Sequence, residues 1–371
     1  MKAHETSGYL KLLEGLRQSH LPALDGLRAV AVFLVIFYHA GLPFPGGLGV
    51  LIFFVLSGFL ITWLLLKEAD RNGTVSLLNF YIRRCLRIFP AFYVYSAVYL
   101  ASAWAIGKSI LWPQAWAALL YVNNYYQGLH GDPNTGFSHT WSLSVEEQFY
   151  VLWPSIFLFC RRRSANLSKI LAVGIAFVWV YRVVLAFVLH VNHGYIYEAF
   201  DTRADSLMIG CLLAILLRNG KGEKIFGELC KNSALPLITL GLLLGSVFLE
   251  LKFGAVYRDS VGMSLDVVLT AILIVQMIAF QNSVGWGWLN WRWVRWLGIL
   301  SYSLYLYQQI AVRPAEKLAL HLPSPMKLVV IVAAVLGCAV GSYYMIEKPL
   351  LNVKQRFEPS ARRDVMEAAS Q

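Results

Sequence analysis

The sequence predicts an all-α polytopic membrane protein, with about ten transmembrane helices plus one re-entrant or interfacial segment, and three observations carry that prediction. Of its 371 residues, 58% are hydrophobic and only 14% are charged. The mean hydropathy is +0.57, which excludes an ordinary soluble domain. Apolar runs able to cross a hydrocarbon core of about 30 Å recur along the whole chain. Lys and Arg fall in short clusters between those runs, so the net charge of +11 reads as topology signals and not as a nucleic-acid-binding surface. Aromatic residues near predicted span ends, such as Trp286, Trp288, Trp291, Trp293 and Trp296, fit interfacial anchoring.

Residues 1–23 are expected to form a cytoplasmic N-terminal segment, polar and mildly basic, without the short apolar core and cleavage site of a signal peptide. Pro22 and Asp25 open the first span, and the uncharged turn Gly41 to Gly47 breaks it on the outside. The second span, near 48–66, returns the chain to a cytoplasmic loop holding Lys67, Arg71, Arg83, Arg84 and Arg87. A third span covers about 88–106. Pro113 to Tyr126 is apolar but short, and the next span, 141–160, ends at Arg161, Arg162 and Arg163. For that triplet to be cytoplasmic, 113–126 must not cross, so it reads as re-entrant or interfacial. Further spans are expected at about 169–189, 204–217, 235–251, 262–280, 297–312 and 327–345. Both termini then lie in the cytoplasm, and the membrane is the inner (plasma) membrane. The polar tail, 347–371, is expected to be partly disordered after Phe357. The five cysteines are far apart with no C-x-x-C pair, which indicates neither a metal site nor a disulfide framework.

Within the first span, Arg28 and His39 bracket an apolar run from Ala29 to Tyr38. Eleven residues of α-helix make about three turns, so the two side chains lie on nearly one face, roughly 16 Å apart along the axis. Ionisable groups at such depth mark functional sites by default, although Arg28 could snorkel to headgroups and His39 could simply end the helix.

The Arg28/His39 spacing, followed by FFVLSGFLIT at Phe53 to Thr62, resembles the acyltransferase-3 family of integral membrane O-acyltransferases. The similarity continues through Arg84-x-x-Arg87, WSLSVEEQFY at Trp141 to Tyr150, DTRADSLMIG at Asp201 to Gly210, SYSLYLY at Ser301 to Tyr307 and IEKP at Ile346 to Pro349. These matches, in order, cover nearly the whole chain. The resemblance implies that 24–346 is an acyltransferase domain that moves an acetyl group from cytoplasmic acetyl-CoA to a hydroxyl of an exported or cell-surface carbohydrate. The partners are then an acyl-CoA, a hydroxylated acceptor and the lipid bilayer, with no metal and no nucleic acid.

His39 is the candidate general base or acyl carrier, since imidazole takes a proton near neutral pH. His139, directly before WSLSVEEQFY, reads first as a solvated loop residue, with the alternative that it faces the same outside-facing cavity as His39. Arg84 and Arg87, one helical turn apart, match phosphate oxygens and are the candidate cofactor contacts, with Arg28 along the same path; as lipid anchors they would need no ligand. The resemblance points to Glu146 as a third catalytic residue, orienting an imidazole or binding acceptor hydroxyls, and Glu147, Asp201, Arg203 and Tyr302 are candidate substrate contacts. Asp201, Arg203 and Asp205 could equally pair among themselves. Ser57, beside Gly58, reads as helix packing and not as a nucleophile. The family often has Trp-His after the SYSLYL run, whereas Tyr307, Gln308 and Gln309 stand here; Gln308 can hydrogen-bond but cannot titrate. Three competing readings remain: a proton-coupled transporter, a structural or binding membrane protein that keeps the motifs without turnover, and an acyltransferase acting on a small hydroxylated metabolite.

Overall fold

The computed structural model describes residues 2–18 and 21–357, so the tail expected to be disordered lies outside the described residues. Among the described residues there is no β-strand. The helices run α1 Lys2–Arg17, α2 Pro22–His39, α3 Gly46–Asn72, α4 Leu77–Ala105, α5 Trp112–Leu119, α6 Asn123–His130, α7 Thr140–Arg162, α8 Leu167–Phe187, α9 His193–Glu198 and α10 Phe200–Arg218. They continue as α11 Glu223–Leu229, α12 Leu235–Phe253, α13 Ala255–Tyr257, α14 Met263–Phe280, α15 Arg292–Ile299, α16 Ser301–Leu318, α17 Ser324–Ser342 and α18 Lys348–Lys354.

Among the described residues, seven stretches are helical, long and apolar enough to cross a membrane: α2, α3, α4, α8, α12, 255–280 and 324–354. The three other expected spans, α7, α10 and α16, are continuous helices of 23, 19 and 18 residues but more polar. Polar and charged residues buried within them, such as Glu147 of α7, Arg203 and Asp205 of α10 and Gln308 of α16, lower the average over each helix, and α7 keeps an apolar outer face of Val151, Leu152, Ile156 and Phe159. The apolar segment near 113–126 is two helices of eight residues each. At 1.5 Å per residue neither spans a bilayer core, and they are broken at Tyr121, whose φ is +56°. The N-terminal segment is a helix that buries Tyr9, Leu12 and Leu16, an i, i+3, i+7 stripe set against α11 and α14.

α3 is the central column. It crosses α10 where a Cβ on Gly58 would strike the Leu207 carbonyl and one on Gly210 would strike the Val55 carbonyl. Only small residues let the two backbones approach this closely. Trp153 Nε1 donates to Thr62 Oγ1 at 2.9 Å and fastens α7 to the same column. The basic stretches gather at one end of the bundle: Arg218 reaches Asp70 at 2.8 Å, and Arg83 reaches Glu68 at 2.7 Å and the Phe357 carbonyl at 2.7 Å. His39, α9 and α13 lie at the other end.

Candidate active site

Two cavities enter the bundle from its two ends. The first, about 330 Å³, lies between α2, α3, α4, α7 and α16 and is lined by Arg28, Arg84, Arg87, Glu146, Glu147 and Tyr302 among apolar residues. The second, about 760 Å³, is lined by His39, His139, Arg203, Glu198, Asp266 and the turn Leu42 to Gly47. Val50 and Tyr305 line both, so these two side chains form the partition. α2 is one unbroken helix, so the single face that carries Arg28 and His39 hands one residue to each cavity.

In the arginine cavity, the guanidinium of Arg84 lies over the Tyr150 ring, 4.7 Å from its centroid. Arg83, one residue earlier, is turned away toward Glu68, which leaves Arg84 and Arg87, three residues apart, on the cavity face. Ser57 Oγ donates to Glu146 Oε1 at 2.9 Å, and the Tyr302 hydroxyl donates to the Ile88 carbonyl at 2.8 Å. Ser57 thus holds Glu146 in addition to sitting at the tight α3 packing. Glu146 and Glu147, expected on the acceptor side with the imidazole, are instead in the arginine cavity. α7 starts at the histidine end, and six residues of helix carry Glu146 about 9 Å further into the bundle.

In the histidine cavity, His39 Nδ1 lies 2.9 Å from the Val35 carbonyl. A carbonyl only accepts, so Nδ1 carries the proton and Nε2 keeps a free lone pair. Gln308 is fully buried and neighbours the His39 ring, yet neither of its amide atoms makes an aligned hydrogen bond. Arg203 stacks its guanidinium on Phe54 and Tyr197, at 5.5 and 5.1 Å. Burial, reinforced by the nearby Asp132 carboxylate, pushes Glu198, on the short helix α9, up to about 8.

The Asp201, Arg203, Asp205 triplet does not pair with itself. Residues two apart on a helix diverge by about 200°, so Arg203 faces the cavity while its neighbours face elsewhere. Asp205 is held by Arg182 at 2.8 Å and by Trp179 Nε1 at 2.9 Å. Asp201 accepts from the Tyr125 and Tyr195 hydroxyls at 3.3 and 3.2 Å and lines neither cavity, so it is not brought to the site.

His139 is the largest correction. Expected as a solvated loop residue, it is 3% exposed, packed edge-on against Tyr95 at 5.5 Å and beside Tyr305 at 5.5 Å. Tyr305, one of three tyrosines in SYSLYLY, carries no separate signal in the sequence. Its hydroxyl sits 2.5 Å from Ser142 Oγ and donates to the His139 carbonyl at 3.1 Å. A polar residue next to the first turn of a motif-bearing helix was the available signal for His139. Among the described residues, no group of His, Cys, Asp and Glu side chains is placed to hold a metal ion.

The chain is similar to curated bacterial proteins. It is 30% identical over 352 residues to peptidoglycan O-acetyltransferase OatA of Listeria monocytogenes, covering 90% of this chain and 56% of that one. It is 30% identical over 371 residues to the putative peptidoglycan O-acetyltransferase YrhL of Bacillus subtilis, covering 93% and 56%. Against O-acetyltransferase OatA of Staphylococcus aureus the figures are 30% over 319 residues, 82% and 52%. The chain therefore spans a little over half the length of these relatives. No solved structure matches it. Residues 21–345 match the acyltransferase domain model Acyl_transf_3, which takes in both cavities and every helix that lines them: the chain belongs to the acyltransferase-3 family.

Proposed function

We propose that the protein is a membrane O-acetyltransferase that takes the acetyl group of cytoplasmic acetyl-CoA through the arginine cavity and delivers it to a carbohydrate hydroxyl in the histidine cavity. The observation that carries this reading is the pair of cavities, one of about 330 Å³ with Arg28, Arg84 and Arg87 beside Glu146 and Glu147, the other of about 760 Å³ with His39, His139, Arg203, Glu198 and Asp266, meeting at Val50 and Tyr305. A phosphorylated donor with a long thin arm fits the first, and a polyhydroxylated acceptor fits the second. The names of the relatives favour a cell-wall polysaccharide as acceptor. The ten-crossing arrangement belongs to the same proposal, with both termini on the cytoplasmic face of the inner membrane. It is supported by the gathering of the basic stretches at the arginine end.

Chemically, Arg84 and Arg87 hold the donor phosphates by charge-assisted hydrogen bonds, and Arg28 meets the arm further in. Glu146, held by Ser57, and Tyr302 line that path. The thioester carbon arrives at the partition. His39 Nε2 takes the proton of the acceptor hydroxyl as its oxygen attacks that carbon; the C–S bond breaks, and the thiolate recovers the proton from the imidazolium. The same free Nε2 could accept the acetyl group first and pass it on.

Two measurements test the reading. Coenzyme A should raise the thermal stability of the solubilised protein, by about 2.7 kcal/mol at a hundredfold excess over Kd. Proteoliposomes loaded with labelled acetyl-CoA should acetylate glycan fragments supplied on the opposite side. A protein unmoved by coenzyme A but stabilised by a small solute and coupled to proton flux would be a transporter. Transfer only to small hydroxylated metabolites would replace the carbohydrate acceptor.

A further inference from the structure

His139 presents a problem that the two-cavity scheme does not solve by itself. Its side chain is 97% removed from solvent, since 3% remains exposed, and it borders the histidine cavity. Neither ring nitrogen makes an aligned hydrogen bond, although the main chain at Leu306 and Gly136 lies close to the ring. A buried imidazole always carries at least one N–H, and leaving it unmatched is costly, so a native structure that keeps one needs a reason. The surroundings hold the ring without satisfying it. Tyr95 meets it edge-on, and Tyr305 lies alongside, its hydroxyl spent on Ser142 and on the His139 main-chain carbonyl. The ring is thus fixed in place beside one of the two residues that separate the cavities, close enough to His39 for the two imidazoles to interact electrostatically.

Acyl transfer needs a donor at this position. Attack on a thioester turns its carbonyl oxygen into an oxyanion, and a fixed N–H in a water-poor site stabilises that charge without reorganising. His39 cannot serve, because its N–H is committed to Val35 and its Nε2 is the base. The Tyr305 hydroxyl is already engaged. We propose that His139 is a second catalytic histidine, donating a ring N–H to the acyl carbonyl oxygen as the acceptor hydroxyl, deprotonated by His39, attacks the carbon. No proton leaves His139 in this step. The negative charge passes from the attacking oxygen to the carbonyl oxygen, and from there to the departing thiolate, which the His39 imidazolium protonates. This inference rests on the acetyl-transfer reading above.

The test compares His139→Leu, His139→Asn and His139→Gln with wild type in the proteoliposome assay, with coenzyme A stabilisation measured alongside. Wild-type turnover settles the underlying reading, and the variants then settle the role of His139. His139→Leu should lower kcat about 10²- to 10³-fold, as loss of one oxyanion donor does, with the apparent KM for acetyl-CoA little changed. Asn places an amide N–H near the former Nδ1 and Gln near the former Nε2, so one of the two should recover at least about tenfold over Leu. Wild-type kcat in His139→Leu overturns the proposal, as does equal loss in all three variants that still respond to coenzyme A. A measurement independent of those variants uses the His39→Ala protein with carbonyl-labelled acetyl-CoA. Hydrogen bonding should shift the bound carbonyl stretch to lower frequency than in free acetyl-CoA, and an unshifted band overturns the proposal.

Discussion

At the end of α2 the His39 imidazole has one nitrogen committed to the Val35 carbonyl at 2.9 Å, and that bond decides which atom is left to react. Replacing His39 with Ala should reduce acetyl transfer by about 10²- to 10⁴-fold, and further if the ring carries the acetyl group. Coenzyme A stabilisation should survive, because the arginines proposed to hold its phosphates line the other cavity. Retained turnover would remove His39 from the reaction. Glu198 offers a titration on α9, outside the membrane helices. Its carboxyl is held up to about 8 by burial first and by Asp132 second, whereas an unfolded Glu titrates near 4.3. An acid raised in the folded state stabilises most when protonated, so its contribution is complete below about pH 4 and is lost as pH rises toward about 8. The melting temperature of Glu198→Gln should therefore fall less than that of wild type between about pH 5 and pH 8. Parallel curves would mean that Glu198 is already ionised throughout.

These residues differ in how far the sequence exposes them. Arg28 and His39 are legible because helical spacing alone puts them on one face. Arg84 and Arg87 are legible for the same reason. His139 is not, because its burial comes from Tyr95 and Tyr305, 44 positions before it and 166 after it, and no local pattern encodes such packing. Glu198 and Asp266 are equally hidden, each an ordinary acidic residue until α9 and α14 bring it to the histidine cavity.

On the scale of a single helix, the first turns of α4 separate structural from functional charge. Arg83 ties Glu68 and the Phe357 carbonyl together, while Arg84 and Arg87 face the arginine cavity. Replacing Arg84 or Arg87 with Gln should weaken donor binding by about 1.5–3 kcal/mol each, the value of one charged hydrogen bond. That is roughly 10- to 150-fold in apparent KM for acetyl-CoA, with little change in KM for the acceptor. Arg83→Gln should instead lower thermal stability and leave the donor KM near wild type. If all three behave alike, the triplet is a lipid anchor. Element boundaries followed from sequence where helices are uniformly apolar, as in α8 and α12. They held for α7 as well, expected at 141–160 and found at Thr140–Arg162, and were blurred in α10 and α16, where buried polar residues dilute the hydropathy signal. The break at Tyr121 was legible only as a segment too short to cross.

For the whole molecule, the two cavities acquire meaning only with a sidedness, and parity fixes it. The basic segments after α3, α7 and α10, together with the C-terminal stretch, can share a compartment only if an even number of crossings separates them. The ion pairs Arg218 to Asp70 and Arg83 to Glu68 already draw several of these ends together. Seven helical stretches qualify as spans on apolarity; the arrangement needs α7, α10 and α16 to cross as well, and α5 and α6 not to. Single-cysteine labelling in a cysteine-free background decides this. Cysteines replacing Pro43, Asp132 and Val256 should react with an impermeant thiol reagent added from outside. Cysteines replacing Asn72, Arg162 and Lys221 should react only after the membrane is opened. Pro43 and Asp132 line the histidine cavity, so their labelling reports the side on which that cavity opens, and the other four sites lie at helix ends outside both cavities. Position 132 shielded while position 162 is labelled from outside would mean that α5 and α6 together cross and α7 runs the opposite way. The arginine-rich end of α7 would then lie outside while Arg84 and Arg87, which precede α5, stay inside, and the side-by-side placement of α4 and α7 that builds the arginine cavity would be overturned.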